Sequence, residues 1–378
     1  MLSSTQIVKH DPLSRVLEKF RSGASLHSHT MHSREYLGRF PGYIRQVPIA
    51  SYLIEREIGQ IHLYTGRIID FRRIYWTPPL SAREALELEK LQIQRQFGLF
   101  PLVSLSDHDN IEAGLHLRML QENSQVPISV EWTVPSDQTV FHLGVHNLPA
   151  DRATFWMAEL ARYTKRPSTR FLRDLLYGLN REPSTLLVLN HPYWDAESVG
   201  REEHGDALVL FLKKFSHLIH ALELNGLRSH AENRRVLELA VTFDLPVIAG
   251  GDRHGCEPNA VLNLSEAVTF AGFVDEIRYF RRSQIVLMPQ FFDSLRLRLL
   301  DSAWHALSDA PGEFGRRHWM SRVFIEEQDG TVRPLSDFMG TRMQRFVDKF
   351  RWIMAFLTSP AARPAMRLAL FGNEDGGL

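Results

Sequence analysis

The chain alternates short apolar runs with longer amphipathic stretches. Apolar runs bounded by turn residues occur at 99–105, 126–130, 140–145, 186–189, 218–224, 247–250 and 284–288. Runs of this length predict buried β-strands, and helical patterns lie between several of them. Alternating strands and helices predict an α/β protein with a parallel sheet, and about seven such units favour a barrel over an open sheet.

Local signals bound two of the helices. Ser81 and Glu84 form a capping-box pattern in front of an amphipathic stretch that stops at Gly98. A second stretch, 231–241, has apolar residues at helical spacing and ends shortly before a proline. Both patterns predict amphipathic helices that cover the sheet.

Residues from about 36 to 79 break this rhythm, because they contain four prolines and many aromatic residues. This stretch is interpreted as an insertion between the first strand and its helix, acting as a lid, an oligomer contact or a small satellite core. The barrel domain is expected to span residues 1–290. Beyond it, residues 291–378 are expected to form a helical C-terminal extension, with a helical pattern at 341–357.

Composition narrows the functional classes. The 378 residues carry 44 basic and 44 acidic side chains, and this balance disfavours a nucleic-acid or membrane-surface binder without excluding nucleic acid. Cys256 is the only cysteine, so no intrachain disulfide is expected. No apolar stretch reaches the length of a signal peptide or a membrane span, and a cytoplasmic location is expected. The sequence leaves open whether the protein forms a homo-oligomer.

Two pairs of candidate metal ligands lie far apart in the sequence, one near the beginning and one near the end of the predicted barrel domain. His27 and His29, in SLHSHT, are one residue apart at the end of a predicted strand. Alternate residues of a strand share a face, so both imidazoles should point the same way, with their backbones roughly 6–7 Å apart. Asp252 and His254, in GGDRHG, repeat this spacing after another apolar run.

Further candidates occupy equivalent places along the middle of the chain. His108 follows one apolar run, Glu131 ends another, His142 lies inside a third and His191 directly follows a fourth. In a parallel barrel such residues gather at the C-terminal ends of the strands. Imidazole and carboxylate donors together suit zinc, manganese or iron, and a carboxylate can bridge two ions.

The order of these motifs resembles the PHP (polymerase and histidinol phosphatase) family. The matching segments are LHSHT, SDHDN, VEWT with FHLG, LNHPY and GGDRHG, over about residues 20–290. The resemblance implies a distorted seven-stranded (β/α)7 barrel, TIM-like in outline, that holds two or three divalent metal ions.

Carried over position by position, the resemblance implies three groups of ligands. The first ion would be held by His27, His29, Glu131 and Asp252. Glu131 would bridge to a second ion bound by His142 and His191. The third ion would be bound by His108 and His254.

The first motif of the family usually has one more ligand, five or six residues beyond its second histidine. This chain has Arg34 and Glu35 at those positions, so Glu35 is the candidate substitute.

Clustered divalent ions activate water and neutralise phosphate oxygens in the transition state. The predicted function is therefore a metal-dependent phosphoesterase, which hydrolyses a phosphate ester of a small molecule or nucleotide through a metal-bridging hydroxide. His191 or His254 is expected to protonate the leaving oxygen, and Asp252 is assigned to the catalytic group with them. Arg228 and Arg253 are candidates for binding the phosphate, or they pair with carboxylates.

Three other functions stay open. An amidohydrolase also begins with His-x-His on a barrel strand, but it ordinarily uses a lone late aspartate and often a lysine. A PHP-type nuclease is disfavoured by the neutral charge. A metal-stabilised binding module without turnover is disfavoured by the nearly complete ligand set.

Overall fold

The computed structural model describes residues 3–11, 15–38, 70–137, 139–308, 318–327, 329–338 and 341–370, with scattered positions between 52 and 66. Most of the predicted insertion, and with it the predicted lid or oligomer contact, lies outside the described residues.

The strands are β1 (Ser4–Lys9), β2 (Ser22–Leu26), β3 (Glu35–Tyr36), β4 (Ile74–Trp76), β5 (Phe100–Ser104), β6 (Val130–Ser136), β7 (Thr139–His146), β8 (Leu186–Asn190), β9 (Ala221–Asn225), β10 (Val247–Gly250), β11 (Val261–Ser265), β12 (Arg282–Leu287), β13 (Val323–Glu326) and β14 (Val332–Pro334). The helices are α1 (Ala82–Phe97), α2 (Glu112–Arg118), α3 (Ala153–Lys165), α4 (Thr169–Asn180), α5 (Arg201–Phe215), α6 (His230–Phe243), α7 (Phe270–Arg278), α8 (Leu295–Leu307), α9 (Thr341–Leu357) and α10 (Arg363–Ala369).

These strands form three sheets. One five-stranded sheet has the order β1-β12-β11-β2-β5, and a second has the order β10-β9-β8-β7-β6. A four-stranded sheet, β14-β13-β4-β3, joins the part of the chain after residue 318 to the end of the predicted insertion. The C-terminal segment therefore contributes strands as well as helices, while its division from residues 1–290 stays a prediction.

The predicted closed barrel of seven strands is wrong. Within the described residues none of the three sheets closes into a barrel, and both five-stranded sheets contain parallel and antiparallel pairs, so the fold is α/β without a clear TIM-like barrel. β11 runs antiparallel to both of its neighbours, and β6 and β7 form an antiparallel hairpin with Ser136 opposite Thr139. A parallel barrel needs a crossover connection at each step, and a hairpin provides none. The apolar runs indicated burial, but they carried no information about strand direction.

Local predictions fared better. Ser81 caps α1 with the predicted capping box, and Gly98 ends it in the left-handed conformation. The helix predicted at 231–241 is confirmed as α6. The strand predicted at 126–130 is wrong, because strand pairing begins only at Val130, after Pro127 and its missing N–H donor.

The two five-stranded sheets pack their inner faces against each other. Leu26 and Leu102 of the first sheet share a buried cluster with Val188 and Ile248 of the second. Beyond the C-terminal ends of β2, β5 and β10, two isolated bridges connect the sheet edges: Ser28 pairs with Arg253, and His108 pairs with Glu131 near the start of β6. The packing thus brings the segments that follow β2, β5 and β10 close to the start of β6. None of the helices that can be described is long and apolar enough to cross a membrane.

Candidate metal centre

Sharp backbone turns place three candidate ligands just beyond the ends of their strands. His27 follows β2, His191 follows β8 and Asp252 is the second residue after β10. Their φ angles are 62°, 27° and 53°, in the left-handed region that residues other than glycine rarely adopt. Strained backbone of this kind is concentrated at functional sites.

The geometry of the first pair differs from the prediction. β2 ends at Leu26, so His27 and His29 lie in the loop after the strand rather than on it. Their convergence depends on the left-handed turn at His27 and on two backbone bonds to the last motif. His29 N donates to the carbonyl of Arg253 at 2.8 Å, and Arg253 N donates to that of His27 at 3.2 Å.

Glu131 lies at the middle of the cluster. Its carboxylate oxygens are within 2.9–3.4 Å of a ring nitrogen from each of five histidines. These histidines come from separate parts of the chain and are His27, His29, His108, His142 and His191. One carboxylate is therefore shared by imidazoles from both five-stranded sheets and their loops.

Glu35 and Asp252 are the two other carboxylates of the cluster, and both lie beside His29 and His254. Glu35 lies 3.7, 3.4 and 3.6 Å from ring nitrogens of His29, His108 and His254. Asp252 Oδ1 lies 3.6 Å from His29 Nε2 and 3.7 Å from His254 Nδ1. The structure therefore brings Glu35, which stands where the resemblance left a gap, together with three of the candidate histidines.

Four groups of side chains have ligand atoms that all lie within 4.8 Å of one another. They are His29, Glu35, His108 and His254; His27, His29 and Asp252; His27, Glu131 and His191; and His108, Glu131 and His142. All nine predicted metal ligands occur in these groups. The groups differ from the predicted assignment, since His191 falls with His27, His142 falls with His108, and His29 also joins Glu35, His108 and His254.

Unsatisfied polar atoms face this cluster. The buried atoms without a hydrogen-bond partner include His27 Nε2, His29 Nε2, His142 Nδ1 and Glu131 Oε2. A buried polar group left unpaired costs about 1–3 kcal/mol, so several of them converging on one place need an explanation. A divalent cation would accept a lone pair from each of them, and imidazole with carboxylate is the donor set of zinc, manganese and iron. The residues present therefore fit divalent metal ions.

The carboxylates of the cluster are held in their charged form. Burial would raise the pKa of Glu131, but His27 and His108 hold it well below its ordinary value. Burial likewise opposes the charged forms of Glu35 and Asp252, and neighbouring histidines again keep both pKa values well below the ordinary range. Buried negative charge of this density requires positive charge at the same place.

Some of the histidines supply that positive charge as protons, because their pKa values are raised. Burial would lower the pKa of His108, but Glu35 and then Glu131 raise it to about 10. Burial would also lower the pKa of His254, but Glu35 raises it to about 9. At His29, burial and the charge of His254 together lower the pKa to about 4. Protons and metal ions therefore compete for the same donors.

The two arginines predicted to bind substrate lie in different surroundings. Arg228 Nη2 is 3.6 Å from Asp252 Oδ2, and its guanidinium carbon lies 4.6 Å from the centre of the Trp194 ring. Arg253 is only 4% exposed and pairs with the buried Glu89 at 2.9 Å. The structure brings Arg228 to the cluster, while the charge of Arg253 is used by Glu89.

Sequence reasoning missed several supporting residues. Glu223 accepts a hydrogen bond from His27 Nδ1 at 2.6 Å, and Asn190 Nδ2 donates to Glu131 at 3.0 Å. Glu223 had a visible signal, since it is an acidic residue inside the apolar run 218–224. For Asn190 the only signal in the sequence was its position directly before His191.

Comparison with known proteins finds distant likenesses among solved structures, including these three. No family model matches the chain, and no curated protein sequence is similar to it. A "putative metal-dependent phosphoesterase" from Bifidobacterium adolescentis is 16% identical, with a TM-score of 0.32 over 54% of this chain and 92% of its own. PsfC from Pseudomonas syringae is 13% identical, with a TM-score of 0.42 over 76% and 98%. An amidohydrolase from Chromobacterium violaceum, solved with bound sulfate and no metal, is 12% identical, with a TM-score of 0.34 over 47% and 84%.

These neighbours include two proteins described as hydrolases. Their TM-scores all lie below 0.5, so the likenesses carry no argument about this chain. The resemblance to the PHP family continues to rest on the motifs.

Proposed function

We propose that this protein is a metal-dependent hydrolase and that its substrate is a phosphate ester of a small molecule or a nucleotide. One observation carries the proposal. The carboxylate of Glu131 is surrounded by five histidines, and facing atoms such as His27 Nε2 and His142 Nδ1 have no hydrogen-bond partner. A carboxylate shared in this way suits a site with more than one metal ion.

The ligands would divide as the PHP resemblance implies, with two or three zinc, manganese or iron ions. His27, His29 and Asp252 would hold one ion, and Glu131 would be shared with a second. His142 and His191 would complete the second position. Glu35, His108 and His254 are close enough to one another to hold a third.

Bound divalent ions would lower the pKa of a water molecule and neutralise phosphate oxygens. The side chains of this chain would supply the rest. With two ions bound and the third position empty, His254 would be the better placed proton donor for the leaving oxygen, because its side chain is 16% exposed while that of His191 is 4% exposed. Asp252 would act as a ligand and as the carboxylate that pairs with Arg228.

The phosphate ester is favoured over an amide because of Arg228. Its guanidinium lies beside Asp252 and packs over Trp194, and its side chain is 21% exposed. A planar guanidinium in this position can donate two parallel hydrogen bonds to a phosphate. A neutral amide substrate would make no comparable use of it.

The family, cellular location, partner and assembly of this protein are also proposals. The ordered motifs support membership of the PHP family, and the single cysteine supports a reducing, cytoplasmic setting. The partner would be a small phosphorylated molecule. The balanced charge makes nucleic acid a poor second choice, and assembly into a homo-oligomer is compatible with all of this.

The experiment is metal analysis of the purified protein followed by hydrolysis of an aryl phosphate monoester with and without chelator. We expect at least two divalent ions per chain and activity that chelator removes and added metal restores. Absence of metal together with absence of chelator-sensitive activity would contradict the proposal. Hydrolysis of a diester alone would favour a nuclease, and hydrolysis of an amide alone would favour an amidohydrolase.

A further inference from the structure

Glu223 is a buried carboxylate beside the cluster and is not one of its predicted ligands. It lies in β9, all of whose residues are buried, and it is itself 2% exposed. His27 Nδ1 donates to its Oε1 at 2.6 Å. The backbone N–H of His191 and the side-chain amide of Asn225 donate to its Oε2 at 2.8 and 2.9 Å.

The bond to His27 determines which ring nitrogen faces the candidate ligands. With Nδ1 donating to Glu223, the neutral imidazole has its lone pair on Nε2. That atom has no hydrogen-bond partner and lies 3.1 Å from Glu131 Oε1. The ring is therefore oriented and held in the tautomer that a metal ion requires.

The same carboxylate supports the strained turn at His191. The backbone N–H that it binds belongs to a residue with a φ of 27°, and the ring of that residue places Nε2 2.9 Å from Glu131 Oε1. Asn225 extends the network, because its amide group also donates to Asp252 at 3.2 Å. Glu223 thus connects the loops that carry three candidate ligands.

The neighbouring backbone is shaped to leave room for Glu223. A Cβ atom added at Gly250 would lie 1.6 Å from Glu223 Oε1, which no side chain can occupy without moving the carboxylate. β9 and β10 pair in parallel, with Ile248 opposite Glu223. The glycine at the end of β10 therefore has a steric role in the placement of the carboxylate.

We infer that Glu223 is the positioning residue of the metal centre, since this one carboxylate orients the His27 ring and holds the His191 turn. This inference rests on the proposed function. Glu223 binds no ion itself; it acts through His27 and His191 by reducing the conformational freedom that metal binding would otherwise have to restrict.

The test measures binding of Co²⁺ and Zn²⁺ alone, by competition with a chromophoric chelator, and the visible spectrum of the Co²⁺ form. We expect Glu223→Gln to weaken binding by about 10- to 100-fold and to change the Co²⁺ spectrum, because the supporting charge on His27 is lost. Glu223→Asp, which restores the charge one methylene shorter, should recover part of the affinity. Unchanged affinity and spectrum in folded Glu223→Gln would overturn the inference.

A second variant covers the case in which Glu223→Gln does not fold. Gly250→Ala keeps every ligand and the carboxylate but displaces Glu223, and it should also weaken Co²⁺ binding. Its matched control is Gly205→Ala, where an added Cβ meets no atom within 4 Å. Equal affinity in the two alanine variants would contradict the positioning role. Failure of the wild-type chain to bind either metal would instead overturn the proposed function, and the inference with it.

Discussion

His27 Nε2 lies 3.1 Å from Glu131 Oε1, and no hydrogen bond satisfies this nitrogen. The other ring nitrogen of His27 is bound by Glu223, so the unsatisfied atom is the one that faces the cluster. The two residues come from different parts of the fold, since His27 lies in the loop after β2 of one five-stranded sheet and Glu131 lies near the start of β6 in the other. The packing of the two sheets brings these two side chains together. A cation bound between them would satisfy both the imidazole nitrogen and the carboxylate.

Glu131→Gln tests the shared carboxylate. The substitution keeps the shape of the side chain but removes the charge that five histidines approach. We expect the loss of at least one bound ion per chain and a fall in kcat of about 100-fold or more, at the upper end of what altered metal support costs. Metal analysis and phosphatase kinetics on the same preparation provide the measurement.

The matched control for that variant is Glu182→Gln. Glu182 has a side chain only 12% exposed and accepts a hydrogen bond from Trp156, but it precedes β8 at the end opposite His191. It should keep its metal and its activity. Full activity of Glu131→Gln beside an unaffected control would refute the bridging role.

Glu35→Gln tests the third position separately. Glu35 lies within 3.7 Å of ring nitrogens of His29, His108 and His254, whereas none of the ion pairs within the described residues joins it to His142 or His191. The variant should therefore lose one ion while those held around Glu131 remain. Titration with Zn²⁺ would show the stoichiometry falling by one, and an unchanged stoichiometry would remove Glu35 from the ligand set.

Stability should depend on pH in a way that bound metal changes. The pKa values of His108 and His254, about 10 and about 9, lie above the ordinary 6.5. Groups whose pKa is raised on folding stabilise the metal-free protein below their ordinary pKa and lose this contribution as pH rises through the folded value. The metal-free protein should therefore lose stability from about pH 6.5 to about pH 10.

Metal-loaded protein lacks those protons already, so its stability should change less over the same interval. Calorimetric Tm values of the two forms should diverge as the pH is raised. A constant difference between pH 6.5 and pH 10 would show that protons and metal do not share these histidines.

Arg228→Gln tests recognition of the phosphate. Removing a charge-assisted contact that is present in both ground state and transition state raises KM and leaves kcat nearly unchanged. We expect an increase in KM of about tenfold, corresponding to one such bond of about 1.4 kcal/mol. Arg228→Lys should recover only part of it, because an ammonium cannot stack on Trp194 or bind in bidentate fashion. Equal KM values for all three proteins would exclude Arg228 from substrate binding.

Arg253→Gln should lower the stability of the protein and leave KM nearly unchanged. Its guanidinium pairs with Glu89, and both are nearly fully buried, so the variant leaves a buried carboxylate without its charge partner. Such losses cost about 3–5 kcal/mol of unfolding free energy, measurable by urea denaturation. Adding Glu89→Gln should restore much of the stability. A raised KM without loss of stability would reassign Arg253 to the substrate.

Much of the candidate site could be read from local sequence. His-x-His after a predicted strand and Asp-x-His after another both lie in the cluster, although the backbone that aims them is a left-handed turn and not an extended strand. The ends of α1 could also be predicted, because Ser81 and Gly98 cap the helix through contacts with residues next to them. Such signals survive folding because they depend on contacts within a few positions.

The sequence by itself determined the donor types, their order and the ends of helices such as α1. Only the tertiary structure decided that β11 and β7 run against their neighbours, that Glu35 joins His29, His108 and His254, and that Glu223 lies behind His27. The physical reason is that an apolar run records burial, whereas strand direction and the partner of a buried carboxylate depend on segments far away in the chain. Those pairings are settled when the two sheets pack and every buried charge must find its complement.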